Sequence, residues 1–337
     1  MKKDARITIK DIAKLTGVSV ATISRVMNHK RVVKEDTRKK VLDAMERLNF
    51  NPSSILLTNH TSKTILLCVP DFSNPFNGLI IDGIQQSAYK NQYRVLILQS
   101  KENYLTLDDY EEVLKNHSFA GIILLTSVTD AELLQLLNRS CPIVMCSEYC
   151  DVKDISFVSI DDITAAHRAS EYLISCGCKK IALLNSDLRH GYARHREQGY
   201  TEALKTAGLD IREEWMAHIS SINYDLAFSY TLNMLNRPDP PDAFFAVSDV
   251  FASAAIHAAK KMKLRIPEDL SVVGFDNIGL SCMTDPPITT VEQPSVQIGY
   301  QSCELLIERI RNPKAVSKGL ILDTQLIVRD STLRFSK

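Results

Sequence analysis

Apolar residues follow two different periods along this chain, and the change falls near residue 63. In the first fifty residues the spacing is helical. Ile9, Ile12 and Ala13 mark one helix face at i, i+3 and i+4, with Thr8 placed to cap it. Gly17 follows, a residue that ends helices by taking the left-handed conformation. Ser19 offers a second N-cap, and Ile23, Val26 and Met27 supply the next buried face. A third helix is expected over 34–48, its apolar positions being Val41, Leu42, Met45 and Leu48. Two short helices joined by a tight glycine turn predict a helix-turn-helix.

From residue 64 onward, short apolar runs alternate with helical patterns. The runs predict strands at 65–69, 94–98, 121–125, 143–146, 157–160, 180–184, 243–247 and 271–275. Helical spacing intervenes, for example at 76–90, 165–176, 196–207 and 250–261. That alternation predicts α/β layers with doubly wound parallel sheets, and about 270 residues of it suggest two lobes. Ligands of such folds bind outside the carboxyl ends of the strands, in the cleft between lobes.

The second head helix leaves a small or polar face: Val20, Ala21, Ser24, Arg25 and Asn28. In a helix-turn-helix this face enters the major groove. Arg25 suits a guanine edge or a phosphate, while Val20 and Ala21 offer only apolar contact to a thymine methyl. Lys10, Thr22, Asn28 and Arg38 are expected to position the sugar–phosphate backbone.

Charge supports that division. The chain of 337 residues is formally neutral. Residues 1–63 nevertheless hold 14 Lys and Arg against 6 Asp and Glu, a formal +8, and the remainder carries −8. A basic head on an acidic body fits a polyanion-binding head. No run of about 18 apolar residues is present and no apolar stretch follows the basic N-terminus, so neither a membrane span nor a secretory signal is expected, and the cytoplasm is. The eight cysteines form no CxxC pair and no zinc pattern; they read as small core residues in a reducing compartment, with no metal or cofactor. GxxxxGK[ST], a GxGxxG after a strand, HExxH and a nucleophile elbow are all missing, which argues against an enzyme. A ligand-binding transport protein would lack the basic helix-turn-helix.

The strings TIKDIAKLTGVSVATISRVMN and TRKKVLDAMERLNFNP strongly resemble the DNA-binding head of the lactose-repressor (LacI/GalR) family. The body resembles that family and the related periplasmic sugar-binding proteins through VPDFSNPF, SIDDITAA, RxxGYxxAL at 196–204, VSDVFASAAIHAAKKMKLRIPEDLSVVGFDN and DPPITTVEQP. Within the family, MCSEYC, DDITAAHRASEYL and GFDNIGLSCMTDPPITTVEQP look closer to the cytidine-responsive branch than to sugar repressors.

The resemblance implies a transcriptional repressor. It would bind a palindromic operator in double-stranded DNA as a homodimer and answer to a small effector, a nucleoside such as cytidine or a sugar. Base readout falls to Val20, Ala21 and Arg25. Phe76 is implied to stack on the effector, Asp161 to line the cleft, and Arg196 and Asp276 to grip hydroxyls. Ser127, Ser147, Glu148, His190, Ile222 and Asp249 follow as further cleft residues. Ile222 stands where many relatives carry an aromatic.

The implied organisation is a head over 1–50, a hinge over 51–63 and a body over 64–337. The N-lobe takes 64–162 and 292–323, and the C-lobe takes 163–291 and 324–337. Family hinges place a leucine wedge seven residues after a proline, where this chain has Asn59 after Pro52. Counting back from the first body strand selects Leu57 instead, with Leu56 beside it, in a hinge two residues shorter. Those leucines alternatively pack two hinges together. The chain ends soon after the last expected strand, so a dimer rather than a tetramer is expected.

Overall fold

The computed structural model describes residues 9–19, 22–23, 26, 33–48, 63–100, 118–128, 131–149, 152 and 154–332. It divides into two units, residues 1–63 and 64–337.

In the first unit, α1 spans Ile9–Thr16 and α2 spans Glu35–Arg47. Gly17 has φ +67° and donates its N–H to the Ala13 carbonyl at 2.9 Å, which ends α1. Ser19 caps the next turn: Thr22 N–H donates to Ser19 Oγ at 3.2 Å. Ile12, Ile23, Val26, Val41, Ala44 and Met45 form the buried core. Leu42, expected in it, is 47% exposed. The stripe 41, 44, 45, 48 lies on one side of α2, and position 42 is a quarter-turn away from it. Thr8 and Met27 lie outside the described residues.

The second unit follows the order β1 (Thr64–Val69), α3 (Pro75–Lys90), β2 (Arg94–Gln99), β3 (Gly121–Leu124), α4 (Ala131–Ser140), β4 (Ile143–Cys146) and β5 (Ser156–Ile160). Next come α5 (Asp162–Ser175), β6 (Ile181–Ser186), α6 (Gly191–Thr206), β7 (Met216–Ile219), α7 (Tyr224–Leu235), β8 (Ala243–Ala246), α8 (Asp249–Lys261) and β9 (Ser271–Asp276). The last are α9 (Leu280–Met283), β10 (Thr289–Glu292), α10 (Ser295–Arg311), β11 (Gly319–Leu322) and β12 (Gln325–Ile327).

Two six-stranded sheets result. One has the order β11-β5-β4-β3-β1-β2 and the other β12-β10-β9-β8-β6-β7. Every pair is parallel except β10 with β12. The chain passes from the first sheet to the second after β5, returns after β10, and crosses again between β11 and β12. Central strands such as β6 are buried at every position, because helices cover both faces. Cys68, Cys146, Cys178 and Cys303 are buried. No helix among the described residues is long and apolar enough to cross a membrane.

Helices α3 and α10 cross at bare backbone. A Cβ on Gly299 would run into the Ile80 carbonyl, and one on Gly83 into that of Val296. Gly299→Ala should therefore lower stability by about 2 kcal/mol, the usual cost of overpacking, in urea unfolding. Gly78, in the same helix α3, has nothing within 4 Å of its would-be Cβ. There Ala should stabilise by about 0.5–1 kcal/mol, its ordinary helix-propensity gain over glycine.

Candidate functional site

The carboxyl ends of the strands of both sheets open onto one cavity, about 700 Å³ of space when its solvent-filled mouth is included. Phe76, Ser127, Ser147, Glu148, His190, Arg196, Ile222 and Asp276 all line it. The sequence scatters these residues over 200 positions, and the strand ends bring them together.

The first wall is the loop from β1 into α3. Asp71 Oδ1 accepts the Asn74 N–H at 2.8 Å, and Asn77 Nδ2 donates to the Asp71 carbonyl at 3.0 Å. Asn74 caps α3 by accepting the Phe76 N–H at 3.1 Å. The network fixes Phe76, 7% exposed, against the cavity.

The second wall is polar and belongs to β6, α6, β9 and the end of β10. Arg196 Nε donates to Asp162 Oδ1 at 2.7 Å, and its Nη1 donates to the Val247 carbonyl at 2.7 Å. Asp276 Oδ1 lies 3.9 Å from Nη1. The guanidinium also sits over the Phe275 ring, 3.6 Å from its centroid. Gln293 Nε2 donates to Asp276 Oδ1 at 2.7 Å, which turns Gln293 Oε1 the other way. That buried oxygen has no hydrogen-bond partner among the described residues. Burial drives the Asp276 carboxyl well above the usual range, with Arg196 opposing; burial raises Asp162 in the same way, again against Arg196.

Two residues at this cavity hold unusual backbones, Asp276 at φ 107° and Ser147 at φ 61°. Left-handed non-glycine residues cost on the order of 1–3 kcal/mol each and persist where the surroundings enforce them. Here they sit at the ends of β9 and β4, where the strand must turn its side chain toward the cleft.

The two sheets are tied by hydrogen bonds through side chains. Ser127, after β3, donates its hydroxyl proton to Glu148 Oε1, after β4, at 2.8 Å. Ser127 Oγ is also 2.9 Å from Nδ1 of His190, the cap residue of α6. With the serine proton spent on Glu148, Nδ1–H of a neutral His190 is the donor. Burial lowers the His190 pKa, which keeps the ring neutral. Burial pushes the Glu148 carboxyl up to about 7.

Two expected cleft residues stand elsewhere. Asp161 is exposed and caps α5, accepting Thr164 N–H at 3.0 Å and Thr164 Oγ1–H at 2.7 Å. Its neighbour Asp162 is the one that meets Arg196, because the first turn of α5 faces α6. Asp249 is fully buried and does not line the cavity. Its carboxylate accepts the Ile278 N–H at 2.8 Å and the Thr290 hydroxyl at 2.6 Å. It braces β10 and the turn after β9, and burial raises its pKa to about 7.

Asp71, Asn74, Asn77, Tyr192 and Gln293 line the cavity without having been singled out from the sequence. Asn74 and Gln293 lie inside or beside strings that carry the resemblance, so proximity to those strings was the available signal.

In the head, Thr22 is partly buried and shares its hydroxyl with Ser19 at 2.9 Å. Arg38 lies on α2, partly buried. Val20, Ala21, Arg25, Asn28, Leu56 and Leu57, and the side chain of Lys10, lie outside the described residues.

Residues 62–329 match the family described as periplasmic binding proteins and sugar binding domain of LacI family. Residues 8–53 match bacterial regulatory proteins, lacI family. The chain belongs to the LacI family. It is 32% identical over 335 residues to the HTH-type transcriptional repressor CytR of Escherichia coli (strain K12), covering 98% of each chain. It is 31% identical over 333 residues to the HTH-type transcriptional repressor PurR of Vibrio vulnificus, covering 98% of this chain and 99% of that one. A solved complex of the transcriptional regulator CelR with cellobiose superposes with a TM-score of 0.73 at 29% identity, over 97% of this chain and 100% of that one. The chain is thus a LacI-family transcriptional repressor whose body matches the family's sugar binding domain, and its relatives are repressors rather than enzymes. LacI-family regulators bind operator DNA and small-molecule effectors.

Proposed function

We propose that this repressor binds a palindromic operator as a homodimer and is controlled by an uncharged nucleoside such as cytidine held in the cleft. One observation carries the effector half: the Arg196–Asp276–Gln293 group, whose Gln293 Oε1 is buried without a partner among the described residues. A guanidinium, a carboxyl and an open amide oxygen on one wall suit adjacent ribose hydroxyls, each both donor and acceptor. Phe76 supplies the apolar face for a ring, and Ile222, which lines the same cavity, supplies aliphatic rather than aromatic cover.

Charge narrows the class. Asp71, Glu148 and Asp276 line the cavity, and Arg196 already faces Asp162 and Asp276. An additional phosphate would find no unspent buried cation among the described lining residues, so the nucleoside is favoured over its phosphate.

A sugar is the second reading, favoured by the structural likeness to the CelR–cellobiose complex. A thermal-shift screen of nucleosides, free bases, nucleotides and sugars on the full chain separates them. Cytidine at about a hundred times its Kd should stabilise the body by about 2.7 kcal/mol. That shift should collapse in Asp276→Asn, and a nucleoside shift that survives the substitution removes Asp276 from the site. An effector acts on DNA binding only through its differential affinity for two lobe arrangements. A gel shift with and without the hit reads the sign of that coupling.

A further inference from the structure

Glu148 differs from Asp162 and Asp276 in what it faces: they meet the Arg196 guanidinium at 2.7 and 3.9 Å, and its own donor is the neutral Ser127 hydroxyl. It is 8% exposed, yet only one of its oxygens is used: Oε1 accepts the Ser127 hydroxyl. Oε2 has no hydrogen-bond partner among the described residues. It lies against the bare backbone of Gly191, where an added Cβ would come within 2.6 Å of it. Asp162 and Asp276 each have a close donor, in Arg196 and Gln293. Because Glu148 lines the cavity, that oxygen is open to a donor on whatever enters it.

We propose that Glu148 selects the effector's base, its open Oε2 accepting an N–H from an exocyclic amine, so that the cleft takes an amino-bearing nucleoside in preference to its oxo counterpart. The inference rests on the nucleoside reading above. Ser127 and His190 hold the carboxyl in position, and the contact spans the two sheets, since Glu148 follows β4 and His190 opens α6. An ionised carboxylate attracts an amine N–H and repels a ring carbonyl, which also offers only lone pairs.

The preference depends on pH, with a defined sign. Burial, together with the Asp162 charge, raises the Glu148 carboxyl to about 7; the Ser127 hydroxyl, Arg194 and Arg196 oppose that rise. Tyr192 faces it from α6, and His190 reaches it through Ser127. Asp187, Arg189 and Asp71 act on His190 in turn. Above about 7 the carboxylate accepts only, and the amine is favoured in full. Below that value the protonated carboxyl donates to a carbonyl as well, and the preference shrinks.

Isothermal titration of the full chain with cytidine against uridine, and adenosine against inosine, tests this at about pH 8 and about pH 6. At the higher pH the amino partner should bind about tenfold tighter or better, the value of one charge-assisted hydrogen bond. At the lower pH the ratio should fall several-fold. Glu148→Gln, whose amide both donates and accepts, should bring the ratio near unity at both. Equal affinities at about pH 8, or a ratio unchanged in Glu148→Gln, overturn the proposal. Should that variant not fold, the wild-type ratio decides alone, and one independent of pH overturns the proposal. Binding of ribose or cellobiose with no nucleoside bound overturns the nucleoside reading, and this inference with it. All four nucleosides binding alike overturns only the role of Glu148.

Discussion

Replacing Arg196 with methionine is expected to abolish effector binding and to lower the stability of the body by about 3–5 kcal/mol, the cost of stripping one partner from a buried ion pair. The side chain is 6% exposed and serves several groups at once. It neutralises Asp162 at 2.7 Å, donates to the Val247 carbonyl at 2.7 Å, faces Asp276 at 3.9 Å and stacks on Phe275. Methionine keeps most of the volume and none of the charge, so Asp162 and Asp276 would be left buried and uncompensated. Both already ionise above the ordinary carboxylate range because of burial. Without the guanidinium they rise further. A carboxyl whose folded pKa is raised makes the folded state bind more protons than the unfolded one, so its destabilising effect is greatest at high pH and fades toward the unfolded value near 4. Urea unfolding should show a deficit that shrinks as pH falls from about 8 to about 5. Adding Asp162→Asn should recover stability without recovering effector binding. A single variant as stable as wild type, or one that still binds, would show that the cluster is neither costly nor part of the site.

The α/β class was legible because buried parallel strands are unbroken apolar runs. β1, β3, β4, β6, β8 and β9 are buried at nearly every position and stand out from the helical patterns between them. Three of the four edge strands were not legible. β11 alternates exposed and partly buried positions, β12 is three residues long, and β7 has its one polar residue outward. Such segments acquire strand geometry from their neighbours rather than from their own composition.

The site was legible where a position matched to the family carries a charged or aromatic side chain that lines the cavity, as with Phe76, Arg196 and Asp276. It was illegible wherever a choice between adjacent residues depends on helix phase. The doublet Asp161–Asp162 is the clear case. Either carboxylate suits a cleft by type, but one faces solvent as an N-cap and the other faces α6, and only the direction of α5 decides which. Gln293 was hidden for a different reason. A glutamine before a proline carries no chemical signature until the Asp276 carboxyl orients its amide.

Arg25→Ala is expected to remove operator discrimination while leaving the body's effector response intact. The reasoning comes from the head sequence. On the second helix of the motif, Arg25 is the one long donor on the face that also carries Val20 and Ala21, neither of which can hydrogen-bond a base. A bidentate arginine–guanine pair is worth about 1–3 kcal/mol of discrimination, and a dimer on a palindrome loses it twice. Affinity for the operator should fall by two orders of magnitude or so, while affinity for unrelated DNA falls only slightly. The basic surface of residues 1–63 supplies that non-specific, salt-dependent component, so the salt slope should stay nearly unchanged. Filter binding on operator and scrambled duplexes, each at several salt concentrations, separates the two terms. If operator and scrambled affinities drop together and the salt slope flattens by about one unit per head, Arg25 is a phosphate contact and base readout lies elsewhere on the helix. The buried residues Ile12, Ile23, Val26 and Val41 hold the head together without Arg25, so the variant should melt like wild type. The loss would then belong to recognition rather than to folding.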